Sequence, residues 1–315
     1  GGALALLADV VQEPTFPDDA LANERIVALA NIAQLRDDMY RYPMHLATQA
    51  TWGVHPYARS ALGTEATLGA LRAEDLRVWH REAVLAGEQV IVIVGDEDPD
   101  ALAAMAAGAF GALTPAPRRL VDAPTWPDVG GINAEQRDKA QTALVLAYPG
   151  PARGDVRRID AALLAGVASG LGGRFFEALR DRQSLAYTVI ASPMVRPLAG
   201  QFVAYIATSP EKEEQARRGL LQEIEKLREA PVTDDELERA RTFALGSWAI
   251  RQESGGAVMG DIADAWMFGS LEELPAFEAH VRAVTAADLQ SVAVEYFDAA
   301  RRVEGVVRGV AGRSV

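Results

Sequence analysis

Residues 172–189 read GGRFFEALRDRQSLAYTV and contain the pattern that decides the fold of this chain. Two glycines precede a segment in which apolar residues recur at helical spacing, and the composition then changes to β-prone residues. We therefore predict a helix that ends at a corner and continues as a strand, with Arg180 and Tyr187 on either side. Taken alone, each residue also has an ordinary interpretation, since Arg180 can neutralise the negative end of its helix and Tyr187 can fill a half-buried strand.

The same segment resembles the second domain of the insulinase/pitrilysin-type zinc metallopeptidases, the inverzincins. In that family a Gly-rich helix start leads to Leu-Arg-Glu, a short turn, and Leu-Ala-Tyr before a strand. This chain matches the family's Arg at Arg180 and its Tyr at Tyr187, and it has Asp181 where the family often has Glu. The resemblance implies that Arg180 and Tyr187 reach across to a zinc site in another domain or subunit and hold the peptide substrate there.

The composition is that of a folded protein long enough for two domains, with 315 residues, of which 49% are hydrophobic. A net charge of −13 argues against nucleic acid or an anionic membrane surface as the main partner. The chain has no cysteine, which excludes a disulfide framework and a thiolate metal site. No apolar run reaches 18 residues, and so we predict no membrane span.

An internal repeat divides the chain into two copies. Residues 18–25 and 234–241 share the pattern D-D-x-L-x-x-x-R, at an offset of 216. Residues 71–76 resemble residues 284–289 at an offset of 213. Each of these segments is followed by its own β-rich segment, which begins at Val90 in the first copy and at Val303 in the second. The near-constant offset indicates a duplicated unit.

The two copies differ in what precedes the D-D-x-L element. The second copy carries the Arg180/Tyr187 corner there, whereas 17 residues precede Asp18 in the first copy. We therefore expect that the chain is N-terminally truncated and that the first domain is incomplete.

The predicted fold class is α+β, with two homologous domains. Strands followed by paired helices favour a largely antiparallel sheet with helices packed on one face in each domain, which the resemblance also implies. We predict the C-terminal part of a first peptidase-like domain in residues 1–112 and a Pro-rich linker in residues 113–130. The second domain, with the Arg/Tyr pair, is predicted in residues 131–315.

The resemblance also bears on zinc. Family members carry H-x-x-E-H on one helix and a third ligand, the second Glu of Glu-x6-Glu, on a later helix. No two histidines of this chain form the motif, and residues 24–31 read ERIVALAN, which puts Asn31 at the ligand position. A neutral amide is a poor replacement for a carboxylate on zinc. We therefore expect no catalytic zinc in this chain and a zinc ion in a partner half.

A further segment, residues 51–65, is similar to the family's HPYGR…GT segment. His55 lies there beside a proline, with no second histidine at ligand spacing, and we assign it a structural role in a loop.

These observations lead to one functional hypothesis with two alternatives. The chain is the non-catalytic half of a metalloendopeptidase that binds peptide and completes the active site of a zinc-bearing half, which is a separate subunit or an upstream part of the same polypeptide. The alternatives are a structural scaffold subunit of peptidase-derived fold, and a self-sufficient zinc peptidase whose H-x-x-E-H motif was lost by truncation. The resemblance implies a bacterial heterodimer and slightly favours the periplasm over the cytoplasm.

Overall fold

The computed structural model describes residues 2–114, 116, 121–170, 172–186 and 188–311. The chain forms two compact units, each built from segments that are separate in the sequence. Unit 1 comprises Gly1–Gln34, Ala61–Val121 and Arg251–Met267, and unit 2 comprises Leu35–Ser60, Asp122–Ile250 and Phe268–Val315.

The junction between the units at residues 121 and 122 falls inside the predicted linker. Each predicted domain is one continuous stretch of sequence, whereas each unit of the structure contains segments from both predicted domains. Residues 35–60 belong to unit 2 although they lie in the predicted first domain, and residues 251–267 belong to unit 1.

Helices dominate both units. In chain order, the α-helices of the described residues are α1 (Gly2–Gln12), α2 (Asp18–Asp37), α3 (Arg41–Trp52), α4 (Glu65–Ala70), α5 (Ala73–Trp79), α6 (Pro99–Phe110), α7 (Arg158–Ser169), α8 (Glu213–Glu229), α9 (Asp234–Gln252), α10 (Gly255–Phe268), α11 (Glu273–Ala283) and α12 (Ala286–Tyr296). Two π-helical turns, His80–Leu85 and Phe176–Asp181, follow α5 and α7. None of the described helices has the length and apolar character needed to cross a membrane.

Unit 2 contains one five-stranded sheet. Its strands are β1 (Ile132–Gln136), β2 (Thr142–Gly150), β3 (Val189–Met194), β4 (Gly200–Thr208) and β5 (Val303–Arg308). The order across the sheet is β1-β5-β2-β4-β3. The pairs β2–β5, β2–β4 and β3–β4 are antiparallel and β1–β5 is parallel, so the predicted largely antiparallel sheet is confirmed.

The central strand β2 is buried on both of its faces. Leu144, Leu146 and Tyr148 belong to a core that also includes α7, α8 and α12. The alternate residues Ala143, Val145 and Ala147 belong to a second core with residues of α3. This explains why β2 reads as a continuous apolar run instead of an alternating one. Helices cover one face as predicted, and α3 additionally covers the other.

Helix α3 lies unusually close to β5. A Cβ atom built on Gly305 would be 2.1 Å from the carbonyl oxygen of Pro43 and 2.5 Å from the backbone nitrogen of Ala47. Polar side chains are also buried between α3 and β4, where the Gln201 amide nitrogen donates to the Thr51 hydroxyl at 3.0 Å. The second face of the sheet is therefore covered by α3 because residue 305 has no side chain.

The internal repeat is visible in matching contacts within the two units. In unit 1, the Arg25 guanidinium donates to the carbonyl oxygen of Leu71 at 2.6 Å. In unit 2, the repeat-equivalent Arg241 donates to the carbonyl oxygen of Val284. In both cases the accepting carbonyl lies just before the N-terminus of a helix, α5 or α12. The predicted duplication is thus confirmed at the level of individual hydrogen bonds.

The helix N-termini after these carbonyls match as well. The carboxylate of Asp75 accepts from the backbone nitrogen of Arg72 at 2.8 Å, and that of Asp288 accepts from the backbone nitrogen of Thr285 at 2.8 Å. These bonds stabilise each helix start and match at the offset of 213. At α12 the bond is reciprocal, since the Asp288 backbone nitrogen donates to the Thr285 hydroxyl.

The β-rich segment that begins at Val90 does not form a strand in the structure. Its repeat-equivalent β5 is a strand because β1 and β2 flank it. No described residue of unit 1 is a strand that could pair with residues 90–94 in this way.

The contact at Gly305 gives a direct test of the second helical layer. Gly305→Ala should lower the free energy of unfolding by at least about 2 kcal/mol, because the new methyl group would clash with backbone atoms, which cannot rotate away as a side chain can. The control is Gly246→Ala in α9, where no atom lies within 4 Å of the added Cβ. It should be neutral or stabilising by up to about 1 kcal/mol. Urea denaturation measures the free energy of unfolding of both variants. Equal changes in the two variants would contradict the close approach of α3 to β5.

Candidate functional site

The segment that leads to the predicted corner begins directly after α7. Gly172 has a φ of +76°, a conformation that L side chains rarely adopt. A Cβ atom on Gly173 would lie 2.9 Å from the carbonyl oxygen of Ala168. The two glycines are therefore needed for a tight reversal against the end of α7.

The segment that carries Arg180 is helical as predicted, and the structure shows that it is wound as a π-helical turn, Phe176–Asp181. Its wider winding ends when the backbone nitrogen of Leu185 donates to the carbonyl oxygen of Leu179 at 2.8 Å. Ser184 has a φ of +49°, which is unusual for a residue with a side chain. Short π-helical turns are rare and frequently occur at functional sites.

Helix α8 holds this corner in place. Leu179 and Leu185 are buried in the core of unit 2. A Cβ atom on Gly219 of α8 would be 2.8 Å from Leu179 Cδ2 and 3.5 Å from Leu185 Cδ1. The Lys212 ammonium also donates to the carbonyl oxygen of Ser184 at 3.1 Å. The position of the corner is therefore determined by side-chain packing against a long helix.

Arg180 is half-buried, and its guanidinium carbon lies 4.3 Å from the centroid of the Phe176 ring. The positive group is attracted to the face of the ring by its quadrupole. The neighbouring Arg182 differs, because its side chain is exposed and forms an ion pair with the exposed Glu177. Tyr187, the second predicted site residue, lies outside the described residues.

A second arginine at the corner is fixed by an ion pair that sequence analysis missed. The Arg174 guanidinium makes two hydrogen bonds to the Glu236 carboxylate, at 2.7 Å and 2.8 Å. Glu236 also accepts from the backbone nitrogen of Thr233 at 2.8 Å, at the start of α9. The capping pattern T-x-x-E at residues 233–236 is a recognisable local signal, but nothing in the sequence connects it to Arg174.

The hydrogen bonds from Arg174 lower the pKa of Glu236 from 4.5 to about 2, against the opposing effect of burial. Glu236 is therefore ionised at neutral pH and ties the corner to α9.

The predicted metal-ligand position does not have the surroundings of a zinc site. Asn31 and Glu24 are both exposed on α2. Among the residues that the structure describes, no three His, Asp or Glu side chains are grouped so that they could hold a metal ion. An amide and one carboxylate, both exposed, do not fit zinc, which is bound in proteins by three or four closely arranged N, O or S ligands.

The structure gives His55 a local role in its loop. Its Nδ1 accepts from the backbone nitrogen of Tyr57 at 3.1 Å, at the N-terminus of a short 3₁₀ turn. Its Nε2 lies 3.1 Å from the carbonyl oxygen of Asp122. Both contacts agree with the structural role expected for this histidine.

The Glu236 ion pair should make stability depend on pH in the acid range. Because the folded-state pKa is below the unfolded value, the stabilisation is complete above about pH 5 and is lost as the pH falls to about 2. A shift from 4.5 to about 2 corresponds to an upper limit on the order of 3 kcal/mol. Glu236→Gln should therefore be less stable than wild type at pH 7 and nearly equal to it at pH 2. Glu238→Gln, at an exposed position of α9, is the control, and an identical profile for both variants would contradict the assignment.

Comparison with known proteins places the chain in a family. The family model described as the peptidase M16 inactive domain matches residues 70–243. A Streptomyces coelicolor protein named as an uncharacterized zinc protease is 26% identical over 300 residues, which cover 92% of this chain and 65% of that protein. A Rickettsia bellii protein with a similar name is 26% identical over 253 residues, which cover 80% of this chain and 61% of the relative. The chain thus spans less than two thirds of the length of these relatives.

Solved structures show the same fold. The crystal structure of a peptidase M16 inactive domain from Pseudomonas fluorescens has a TM-score of 0.89 at 23% identity, covering 99% of this chain and 76% of that chain. A protease from Helicobacter pylori has a TM-score of 0.87 at 19% identity, covering 98% and 76%. A chain of complex III2 from Candida albicans has a TM-score of 0.82 at 14% identity, covering 97% and 76%.

The family model spans more than half of the chain and agrees with the resemblance found in residues 172–189. The chain therefore belongs to the peptidase M16 family, whose inactive domain it contains.

Proposed function

We propose that this chain is the non-catalytic half of a zinc metallopeptidase, which binds an extended peptide and completes the active site of a zinc-bearing half. Two findings support this proposal: the matched domain is the inactive one, and the relatives are named zinc proteases. The zinc-bearing half is either a separate subunit or another part of one polypeptide.

The observation that carries the proposal is the placement of Arg180. It lies on a rare π-helical turn, stacked on Phe176, and the turn is buried against α8 through Leu179. A purely structural arginine at a helix end needs neither an aromatic platform nor a specially wound turn. A guanidinium in this position suits a ligand that presents oxygen acceptors, such as the carbonyl groups of a peptide.

Arg180 and Tyr187 then act on the substrate in different ways. The guanidinium of Arg180 donates to a peptide carbonyl oxygen in the bound substrate and continues to do so as negative charge develops, and so it contributes to both binding and rate. The hydroxyl of Tyr187 donates to the oxyanion that develops at the carbonyl under attack, where a preorganised donor lowers the barrier. This chain supplies donors and positioning, while the metal belongs to the other half.

Substitutions in the assembled complex test this assignment. Loss of one preorganised oxyanion donor costs on the order of 3 kcal/mol, or roughly a hundredfold in rate. Tyr187→Phe should therefore lower kcat, while Arg180→Ala should lower kcat and raise KM. The control is Arg182→Ala, which removes an exposed arginine two residues from Arg180 and should leave peptide cleavage unchanged.

The other outcomes decide between the alternatives. If both variants assemble normally and cleave peptide at the wild-type rate, the chain is a scaffold subunit. If the first domain, with its upstream residues restored, retains near-stoichiometric zinc after dialysis against a mild chelator, the protein is a self-sufficient peptidase.

We expect Phe176 to affect peptide cleavage through the contact of its ring face with the Arg180 guanidinium. Phe176→Leu keeps an apolar side chain but removes the cation–π contact, which contributes about 0.5–1 kcal/mol at partly exposed sites. We expect a decrease of roughly two- to fivefold in kcat/KM, and near wild-type activity for Phe176→Tyr. In the Arg180→Ala background, Phe176→Leu should have no further effect, because the two residues act as one unit. An additive effect in the double variant would show that Phe176 acts by packing alone.

A further inference from the structure

A small cavity lies in unit 2 beside the glycine reversal that leads to the candidate site. Its volume is about 70 Å³. Four of its described lining residues are glycines, namely Gly166, Gly170, Gly172 and Gly173. Because these residues have no side chains, the space between the end of α7 and α9 remains open.

The inner part of the cavity is apolar and its outer wall is exposed. Val167 of α7 and Ala240 of α9 line the inner part, and both are buried. Arg239 and Phe243 of α9 line the outer wall one helical turn apart, and Phe243 is 65% exposed. An exposed aromatic ring beside an apolar cavity is typical of a site that binds a ligand.

The two arginines near the cavity differ in their partners. Arg174 is bound to Glu236, which also lines the cavity. Arg239 forms no ion pair or hydrogen bond through its side chain with any residue that the structure describes. Its guanidinium carries five N–H donors and can therefore bind an oxygen acceptor at the mouth of the cavity.

We propose that this cavity binds one aliphatic side chain of the peptide held by Arg180, and that it thereby selects substrates that carry such a side chain. The inference rests on the proposed function, since one peptide contacts both places. An apolar cavity of about 150 Å³ takes a benzene molecule. A cavity of about half that volume suits about three or four carbon atoms, as in the side chains of valine and leucine.

One segment of the chain connects the cavity to the candidate site. Gly173 lines the cavity, and Arg180 follows it on the same helical segment, about 10 Å further along the axis at 1.5 Å per residue. An extended peptide advances about 3.3 Å per residue, so the aliphatic side chain lies roughly three residues from the carbonyl group that Arg180 binds. Arg239 then donates to the main chain of the peptide at the mouth of the cavity.

The cavity can be altered without disturbing the fold. A Cβ atom on Gly166 would be 3.6 Å from Ala240 Cβ, which is an ordinary van der Waals distance. Gly166→Ala therefore narrows the cavity, and within α7 the replacement of glycine by alanine favours the helix. Phe243→Ala removes the aromatic wall at an exposed position and leaves the core of unit 2 intact.

A series of peptides tests the inference in the assembled complex. Each is a dodecapeptide of alanine and serine in which valine or glycine occupies one position in turn, and competition between the peptides gives the ratio of their kcat/KM values. At one position, the wild type should prefer valine to glycine by roughly tenfold. Gly166→Ala and Phe243→Ala should each reduce this ratio at least roughly threefold. Arg239→Ala should lower kcat/KM for both peptides equally, because the arginine contacts the main chain.

The control is Val294→Ala in α12, where an apolar side chain is 52% exposed and is not among the described lining residues; it should keep the wild-type ratio. An unchanged ratio in Gly166→Ala or Phe243→Ala would overturn the inference. Weaker assembly of the two halves in Phe243→Ala would also overturn it and would assign the cavity to the partner half. Equal cleavage of the valine and glycine peptides by the wild type overturns the inference alone, whereas a wild-type rate for Arg180→Ala overturns the proposed function as well.

Discussion

The burial of β2 on both of its faces is the constraint on which unit 2 depends. Leu144 and Leu146 pack with one helical layer, and Val145 packs with the other. A strand in this position contributes no polar face, so every neighbouring element must supply apolar side chains or close backbone contact. Gly305 allows close backbone contact because it has no side chain. The side chains of Gln201 and Thr51 are polar, and they can be buried here because they form a hydrogen bond with each other.

The candidate site depends on that same layered core. Helix α8 packs on the sheet through Leu220 and Ile224 and on the corner through Gly219. Arg180 is thus connected to the core through Leu179, which lies one residue before it. Arg174 connects the same corner to α9 through Glu236. A site placed on a turn generally needs such support, because catalytic geometry tolerates little displacement.

Local sequence patterns predicted the parts of the structure that local forces determine. The glycine pair at Gly172 and Gly173 predicted the start of the helical segment that carries Arg180, and the repeated D-D-x-L pattern predicted α2 and α9. The π winding at Arg180 was not predictable, because it depends on how Leu179 and Leu185 fit against α8. The ion pair of Arg174 and Glu236 was also missed, since it joins residues 62 positions apart.

The segment that begins at Val90 shows that a local preference for a strand does not establish that a strand forms. Its β-branched residues predicted a strand, and this prediction was wrong, because a strand exists only where another strand accepts its hydrogen bonds. The position of α3 on the second face of the sheet is a similar case. No local pattern in residues 41–52 identifies the surface that buries this helix, because that surface includes Gly305, more than 250 residues later.

The strand order β1-β5-β2-β4-β3 has a consequence for biosynthesis. The last strand to leave the ribosome occupies an interior position, so β1 and β2 cannot be joined until residue 308 has been translated. During that interval the edge of β2 that later receives β5 presents Val145 and its neighbours with open hydrogen-bonding groups. Nascent chains with such an edge are prone to incorrect pairing. The order of strands therefore makes the completion of this sheet a late event, because the β2 edge has no β5 partner until the last strand has been translated.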